Sequence, residues 1–352
     1  MVLEDPAPSG SASRAANRFA RRRRATIDDV AARADVSKTT VSHVLSGKRP
    51  VRVTTRARVE RAIRELDYRP DLVARSLRTR RTQVVAVVQP DITNPFFPVL
   101  VRGFEDALGR GGYRTVVCNT DSVREQELAF ISDVVNRGVD GVALVARHVH
   151  AEDVAALVAN GVNIVTIGSM RVDHPLVDVV MGDDERGACD ATAFLVGRYG
   201  ARVGCISGFD EGPQAREVGY RQALRAAGVP IDPALIAEGD WTRAGGLAAM
   251  RTLLDAPDAP RAVFCGNDLM ALGALDAAHE RGLAVPEDLA VAGYDDVEWA
   301  SLIRPTLTTV LNPAYDTGRA AADLLHDRIA GGYDGVRRVV RIRCDLIIRE
   351  SA

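Results

Sequence analysis

Residues 26–49 read TIDDVAARADVSKTTVSHVLSGKR. Ile27, Val30, Ala31 and Ala34 form an apolar helical stripe. Thr26 stands at the N-cap position, with Asp29 three residues on to complete a capping box. Asp35 and Val36 supply a turn, and Ser37 caps a second helix whose Val41, Val44 and Leu45 share one face and pack back on the first. Lys38, Thr39, Ser42 and His43 are thereby left outward, and Gly47 ends the helix. Two short helices joined by a tight turn, the second presenting a polar face, predict a helix-turn-helix whose second helix enters the DNA major groove.

The flanking sequence agrees. Residues 54–66, TTRARVERAIREL, predict a third amphipathic helix capped by Thr54 or Thr55, its Val59, Ala62, Ile63 and Leu66 closing a small core. Residues 1–82 carry 20 Lys and Arg against 9 Asp and Glu, a net charge of +11, whereas residues 83–352 carry 25 against 38, a net of −13. The near-neutral total of −2 therefore conceals a cationic head that suits a polyanion, on an acidic body that does not compete for it. Residues 1–25 are poor in apolar side chains and include Arg21–Arg24. This Arg-rich stretch reads as a disordered tail that adds non-specific phosphate contacts.

From residue 83 the texture changes. VVAVVQP (84–90) is a continuous apolar run, read as a buried parallel strand. Strand-like runs recur at 114–118, 141–145, 163–168, 202–207, 262–266 and 289–295. Helical stretches lie at 96–110, 123–137, 151–160, 185–199, 213–227, 243–255 and 268–281. The alternation predicts α/β architecture, long enough for two doubly wound parallel sheets. Ligands of such sheets bind beyond the carboxyl ends of the strands. Asp91, Asn94 and Phe96 follow the first run, Asn267 follows AVFCG and Asp295 follows VAGY. Arg216 lies beyond the strand at 202–207, and Trp241 follows Glu238-Gly239-Asp240. Carboxylates, amides, one guanidinium and flat aromatic faces suit a polyol or sugar-like ligand.

Other classes find little support. No GxGxxG follows the first strand, no GxxxxGK[ST] or GxSxG appears, and GRGG at 109–112 follows a helix. His148, His150, His174, His279 and His326 show no metal-binding spacing, and the five Cys are scattered singly. Hence no catalytic residue, no metal site and no cofactor are expected. No apolar run approaches the ~20 residues of a membrane span, and the N-terminus lacks an apolar signal core, which points to a cytoplasmic protein with no membrane partner.

Together, VSKTTVSHVLSG, the Tyr68-Arg69-Pro70 break, Ala74-Arg75-Ser76-Leu77, DITNPFF, REVGY, FCGNDLMALGAL, PEDLAVAGYDD, RPTLTTV and DLIIRES make residues 26–351 resemble the LacI/GalR family of transcriptional regulators. The resemblance implies a small all-α helix-turn-helix domain at 26–69, a hinge helix and linker at 70–82, and a periplasmic-binding-protein-like core at 83–352. The core's first subdomain would span about 83–182 and 313–340, and its second about 183–311 and 341–350. It implies a regulator, a repressor by the family's commoner mode, that binds a pseudo-palindromic operator in double-stranded DNA and answers to a small-molecule effector. Thr26, Ser37, Lys38, Thr39, Thr40, Ser42, His43, Arg49, Ala74, Arg75 and Leu77 would touch DNA. Lys38, Thr39 and His43 would read base edges, and Leu77 would wedge into the minor groove. Asp91, Asn94, Phe96, Arg216, Trp241, Asn267 and Asp295 would contact the effector. This chain departs from common family patterns at His43, Gly168 and Ala314, so the half-site preference and the particular sugar stay open. A nucleoside or phosphorylated sugar is the alternative, with Arg147, His148 or Arg171 available to an anion, and a solute-binding protein is the remaining one. No heptad pattern follows Ile348, so a homodimer is expected.

Overall fold

The computed structural model describes residues 25–47, 49–69, 76, 81–145, 148–168, 172–208 and 214–352. The chain divides into two compact units, Met1–Arg80 and Arg81–Ala352.

The first unit is built on α1 (Ile27–Ala34), α2 (Lys38–Ser46) and α3 (Val53–Glu65). Val30, Ala31, Ala34, Val41, Val44, Val59 and Ala62 form its core. Leu45, expected inside, is 40% exposed. Val41 and Val44 already fill the contact face of this nine-residue helix, and Leu45 lies a further ~100° around it. Helix α3 starts one residue earlier than expected, with Arg52 at the N-cap and no side-chain cap, so neither Thr54 nor Thr55 caps it.

The second unit alternates strands and helices in the order β1 (Val84–Gln89), α4 (Phe96–Gly109), β2 (Arg114–Asn119), α5 (Arg124–Asn136), β3 (Gly141–Leu144), α6 (Ala151–Ala159), β4 (Asn163–Ile167) and β5 (Asp178–Gly182). There follow α7 (Asp184–Tyr199), β6 (Val203–Gly208), α8 (Ala215–Ala226), β7 (Ile236–Gly239), α9 (Arg243–Asp255), β8 (Ala262–Cys265), α10 (Asp268–Glu280) and β9 (Ala290–Ala292). The chain closes with β10 (Thr309–Leu311), α11 (Ala314–Ala330), β11 (Val339–Ile342) and β12 (Asp345–Ile347). Strands β5, β7, β10, β11 and β12 and helix α11 were not among the runs read from pattern. Each of those strands has five residues or fewer and includes a polar or charged residue (Asp178, Glu238, Thr309, Arg341 and Asp345), unlike the equally short but apolar β3, β8 and β9.

Six strands pair in the order β11-β5-β4-β3-β1-β2, all parallel. Alternation along β1 sends Val85 and Val87 to a cluster with Leu100, Phe104, Leu108 and Leu325, while Ala86 and Val88 join Ile131, Val134 and Val154 on the other face. Covering both faces explains why VVAVV is apolar throughout. Burial of side chains such as Leu100 and Phe104, both fully enclosed, contributes about 1.5–3 kcal/mol each. A second parallel sheet runs β7-β6-β8-β9, and β10 and β12 form an antiparallel ribbon. The chain passes between the two sheet systems three times: after β5, after β10 and after β11.

Helices α4 and α11 approach to backbone contact. A Cβ on Gly103 would lie 2.0 Å from the Tyr315 carbonyl oxygen, and one on Gly318 would lie 1.9 Å from that of Leu100. At the start of β5, beside the edge strand β11, Asp178 is fully buried, accepts two hydrogen bonds from Arg328 (2.8 and 2.7 Å) and is also bound by Arg338 (2.7 Å).

Candidate functional site

The recognition surface of the first unit follows from its caps. The Thr26 backbone N–H donates to Asp29 Oδ2 at 2.8 Å, and the Asp29 N–H to Thr26 Oγ1 at 3.3 Å. Asp35 then adopts a left-handed conformation (φ 49°) and turns the chain. The Thr40 N–H donates to Ser37 Oγ at 3.1 Å, and the two hydroxyls lie 2.9 Å apart. Thr26, Ser37 and Thr40 therefore serve the helix starts themselves. Lys38 and Thr39 are exposed, and Ser42 and His43 are half-exposed. Thr39, Ser42, His43 and Ser46 follow helical spacing and define one outward stripe. Lys38 pairs with Asp28 at 2.5 Å, but both are more than half exposed. Such a pair is worth about 0–1 kcal/mol. Arg49 is exposed. Ala74, Arg75 and Leu77 lie outside the described residues, as do Arg147 and Arg171.

In the second unit the expected ligand residues fall into two groups. One sits beyond β1. Asp91 Oδ1 accepts from the Thr93 N–H (2.8 Å) and hydroxyl (2.7 Å), forming an Asx turn. Asn94 Oδ1 accepts from the Phe96 N–H at 3.1 Å at the start of α4, and Phe96 meets Phe97 edge-on with centroids 5.4 Å apart. Asn119 Oδ1 holds the loop by accepting from the Ile92 N–H at 2.6 Å.

The other group centres on Arg216, in the first turn of α8. Its Nη2 donates to Asp295 Oδ1 at 3.0 Å, Nε to Asp184 Oδ1 at 3.3 Å and Nη1 to the Gly266 carbonyl at 2.5 Å. The guanidinium lies 3.8 Å from the centroid of Tyr294 and 5.8 Å from that of Trp241. Asn312 Nδ2 donates to Asp295 Oδ1 at 3.1 Å. Burial opposes the Arg216 charge, but Asp295 and Asp184 outweigh it and keep the pKa raised. Burial lifts the Asp295 carboxyl above the ordinary range, and Arg216 and Asn312 pull it only part of the way back.

Trp241 has a left-handed backbone (φ 68°), and its indole lies across the ends of β6 and β8. A Cβ on Gly208 would fall 1.8 Å from that ring. Asn267 caps α10 by accepting from the Met270 N–H at 2.8 Å, and its Nδ2 donates to the Trp241 carbonyl at 2.9 Å. It thus positions the tryptophan. Arg216, Trp241, Asn267 and Asp295 form one connected cluster, whereas the side-chain hydrogen bonds of Asp91 and Asn94 stay within the β1 loop. Asp184, Tyr294 and Asn312 belong to the cluster and were missed from sequence. The signal for Asp184 was its place just after β5, a strand too short to read.

A helix-turn-helix head on a parallel α/β core, with polar and aromatic groups at its strand ends, defines a ligand-responsive DNA-binding regulator. Residues 26–71 match "Bacterial regulatory proteins, lacI family", and residues 192–352 match a periplasmic binding protein-like domain. The chain is 37% identical over 329 residues to the HTH-type transcriptional repressor CytR of Escherichia coli (strain K12), covering 93% of this chain and 96% of that one. Among solved structures it is similar to a transcriptional regulator CelR–cellobiose complex (37% identity, TM-score 0.70, covering 94% of this chain and 100% of that one). It is also similar to the Lac repressor dimer bound to operator and the anti-inducer ONPF (25% identity, TM-score 0.80, covering 94% and 99%). The chain belongs to the LacI family of bacterial regulatory proteins.

Proposed function

We propose that this regulator is a repressor that binds a pseudo-palindromic operator as a homodimer and answers to a small sugar-like effector. The effector is held between the two lobes of the core, about 83–182 with 313–340 and about 183–311 with 341–350. It touches Asp91, Asn94 and Phe96 on one lobe and Arg216, Trp241 and Asp295 on the other, with Asn267 holding the tryptophan. The observation that carries this reading is the Arg216 cluster. One guanidinium faces two carboxylates, Asp184 and Asp295, beside the indole of Trp241. Such a set offers hydroxyls both acceptors and donors, beside a flat apolar face. Effector and operator occupancy are linked only to the extent that the effector prefers one of two core states. No catalytic step is assigned. No helix among the described residues is long and apolar enough to cross a membrane.

The head reads bases through Lys38, Thr39 and His43. Ser42 and Arg49 serve phosphates, as do Thr26, Ser37 and Thr40 through the backbone amides they organise, and Ala74, Arg75 and Leu77 form the minor-groove segment. Selection of the full chain on a randomised duplex library should return half-sites about one helical turn apart. Thr39→Ala should relax the choice at one base pair per half-site, by about 1–3 kcal/mol. An even loss of affinity across all sequences would overturn the base-reading role. Thermal shift against cellobiose, ribose and nucleosides identifies the effector class, and Asp295→Ala should abolish any shift found.

A further inference from the structure

Gln89 is the last residue of β1 and is 1% exposed. Among the described residues neither Oε1 nor Nε2 of its amide has a hydrogen-bond partner. A buried polar group left so costs about 1–3 kcal/mol, so it calls for an explanation. Its backbone is firmly placed, because the carbonyl accepts from both the N–H (3.0 Å) and the hydroxyl (3.2 Å) of Thr120. Only the side chain is spare.

The neighbouring strand gives the contrast. Gln89 is in register with Asn119 on β2, so the two amides stand side by side on one face. Asn119 uses both ends: Oδ1 accepts from the Ile92 N–H, and Nδ2 donates to Asp121 Oδ1 at 2.6 Å. The 91–94 loop is thus held without help from Gln89. Alternation along β1 puts Gln89 on the side of Val85 and Val87, whose cluster takes in Ala314 and Phe96 at the starts of α11 and α4. The spare amide is therefore two residues from Asp91 and on the sheet face against which Phe96 packs.

We propose that Gln89 is a specificity-determining residue of the effector site, an inference that rests on the function proposed above. Its Oε1 accepts from, and its Nε2 donates to, one paired donor–acceptor group of the ligand. Two adjacent sugar hydroxyls present such a pair, and so does the edge of a nucleobase. A group that only accepts would leave Oε1 unpaired.

The test uses the full chain, with Gln89→Met as a near-isosteric apolar replacement and Gln89→Leu as a second variant. Cellobiose, ribose, cytidine and adenosine serve as probes, and Asp295→Ala is the control that loses the site. Two results together are expected. The ligand-free melting temperature of Gln89→Met rises by about 2–4 °C, because an unpaired polar group has been removed. The Kd of whichever probe stabilises the wild type weakens about tenfold or more. A sugar or a nucleoside as the responding probe tells which source supplies the pair. If the ligand-free melting temperature is unchanged or falls in both variants, the amide belongs to the core and the proposal is overturned. It is equally overturned if the probe keeps its Kd on both variants while Asp295→Ala loses it, and the effector reading then survives. If no probe shifts the wild type, the sugar-or-nucleoside reading itself fails, and the role of Gln89 falls with it.

Discussion

Two buried clusters of arginine and aspartate stand in the core, and their stoichiometries are inverted. In one, a single guanidinium, Arg216, faces two carboxylates, Asp184 and Asp295. In the other, one fully buried carboxylate, Asp178, is held by two guanidinium groups, Arg328 and Arg338, the second of which also pairs with the more exposed Asp327. Burial raises Asp178 too, but the bonds from Arg328 and Arg338 overcome it and bring the net pKa below the ordinary value. At Asp295 burial wins and the pKa ends above it. Asp178 has its lone pairs filled by two arginines and the Arg338 N–H, so it clasps β5, α11 and the approach to β11. The Arg216 cluster keeps a formal surplus of one negative charge, at strand ends where a ligand can supply donors. The same two residue types thus build a closed fastener where a buried carboxylate is fully bonded, and a more open cluster where two carboxylates share one guanidinium.

The largest expected effect comes from breaking the fastener. Asp178→Ala takes away the carboxylate paired with Arg328, which is 7% exposed, while Arg338 keeps Asp327, and should cost about 3–5 kcal/mol in urea unfolding. Asp178 is depressed in the fold, so its contribution is present above the unfolded-state value of about 4 and is lost as pH falls through the native one. Asp178→Asn should therefore flatten the acid limb of stability. An acid limb as steep as the wild type's would show that the clasp is not the source.

A smaller effect is expected at Asp268, a buried carboxyl with no arginine bound among the described residues. It accepts from the Val297 N–H at 2.9 Å and is bonded to the Thr309 hydroxyl at 2.6 Å. Burial, with Asp295 nearby, pushes its pKa well above the ordinary range. Here the sign reverses: the fold holds the proton longer than the unfolded chain, so stability is full below about pH 4 and declines as pH rises toward the native pKa. Asp268→Asn keeps an acceptor for Val297 and gains a donor for Thr309. Melting temperatures from pH 4 to 8 should decline less than in the wild type. A decline of equal size would place the titration elsewhere.

Much of this was legible in the sequence because it rests on local signals. The capping box at Thr26 and Asp29, the Ser37 cap and the Gly47 stop are short-range chemistry, and the structure has all of them. The apolar runs of β1, β6 and β8 declared themselves by composition. What could not be read depends on distance. Asp178 opens a five-residue strand, and its partners lie 150 and 160 residues away. Asp184 and Asn312 join the Arg216 cluster only because two passages between the sheets bring them there. Leu45 looked apolar enough to be buried, but helical phase, not hydrophobicity, decides what a short helix can hide.

The glycine contacts between α4 and α11 set the mechanics of the core. Helix α4 begins at Phe96, just beyond the 91–94 loop, and α11 begins at Ala314, where the chain crosses between sheets after β10. With Gly103 against Tyr315 and Gly318 against Leu100, backbone rests on backbone and no compressible side chain lies between them at those points. The two helices therefore meet backbone to backbone at those points. A displacement of α4 there would press directly on the backbone of α11, as motion passes through meshed gears rather than through a spring.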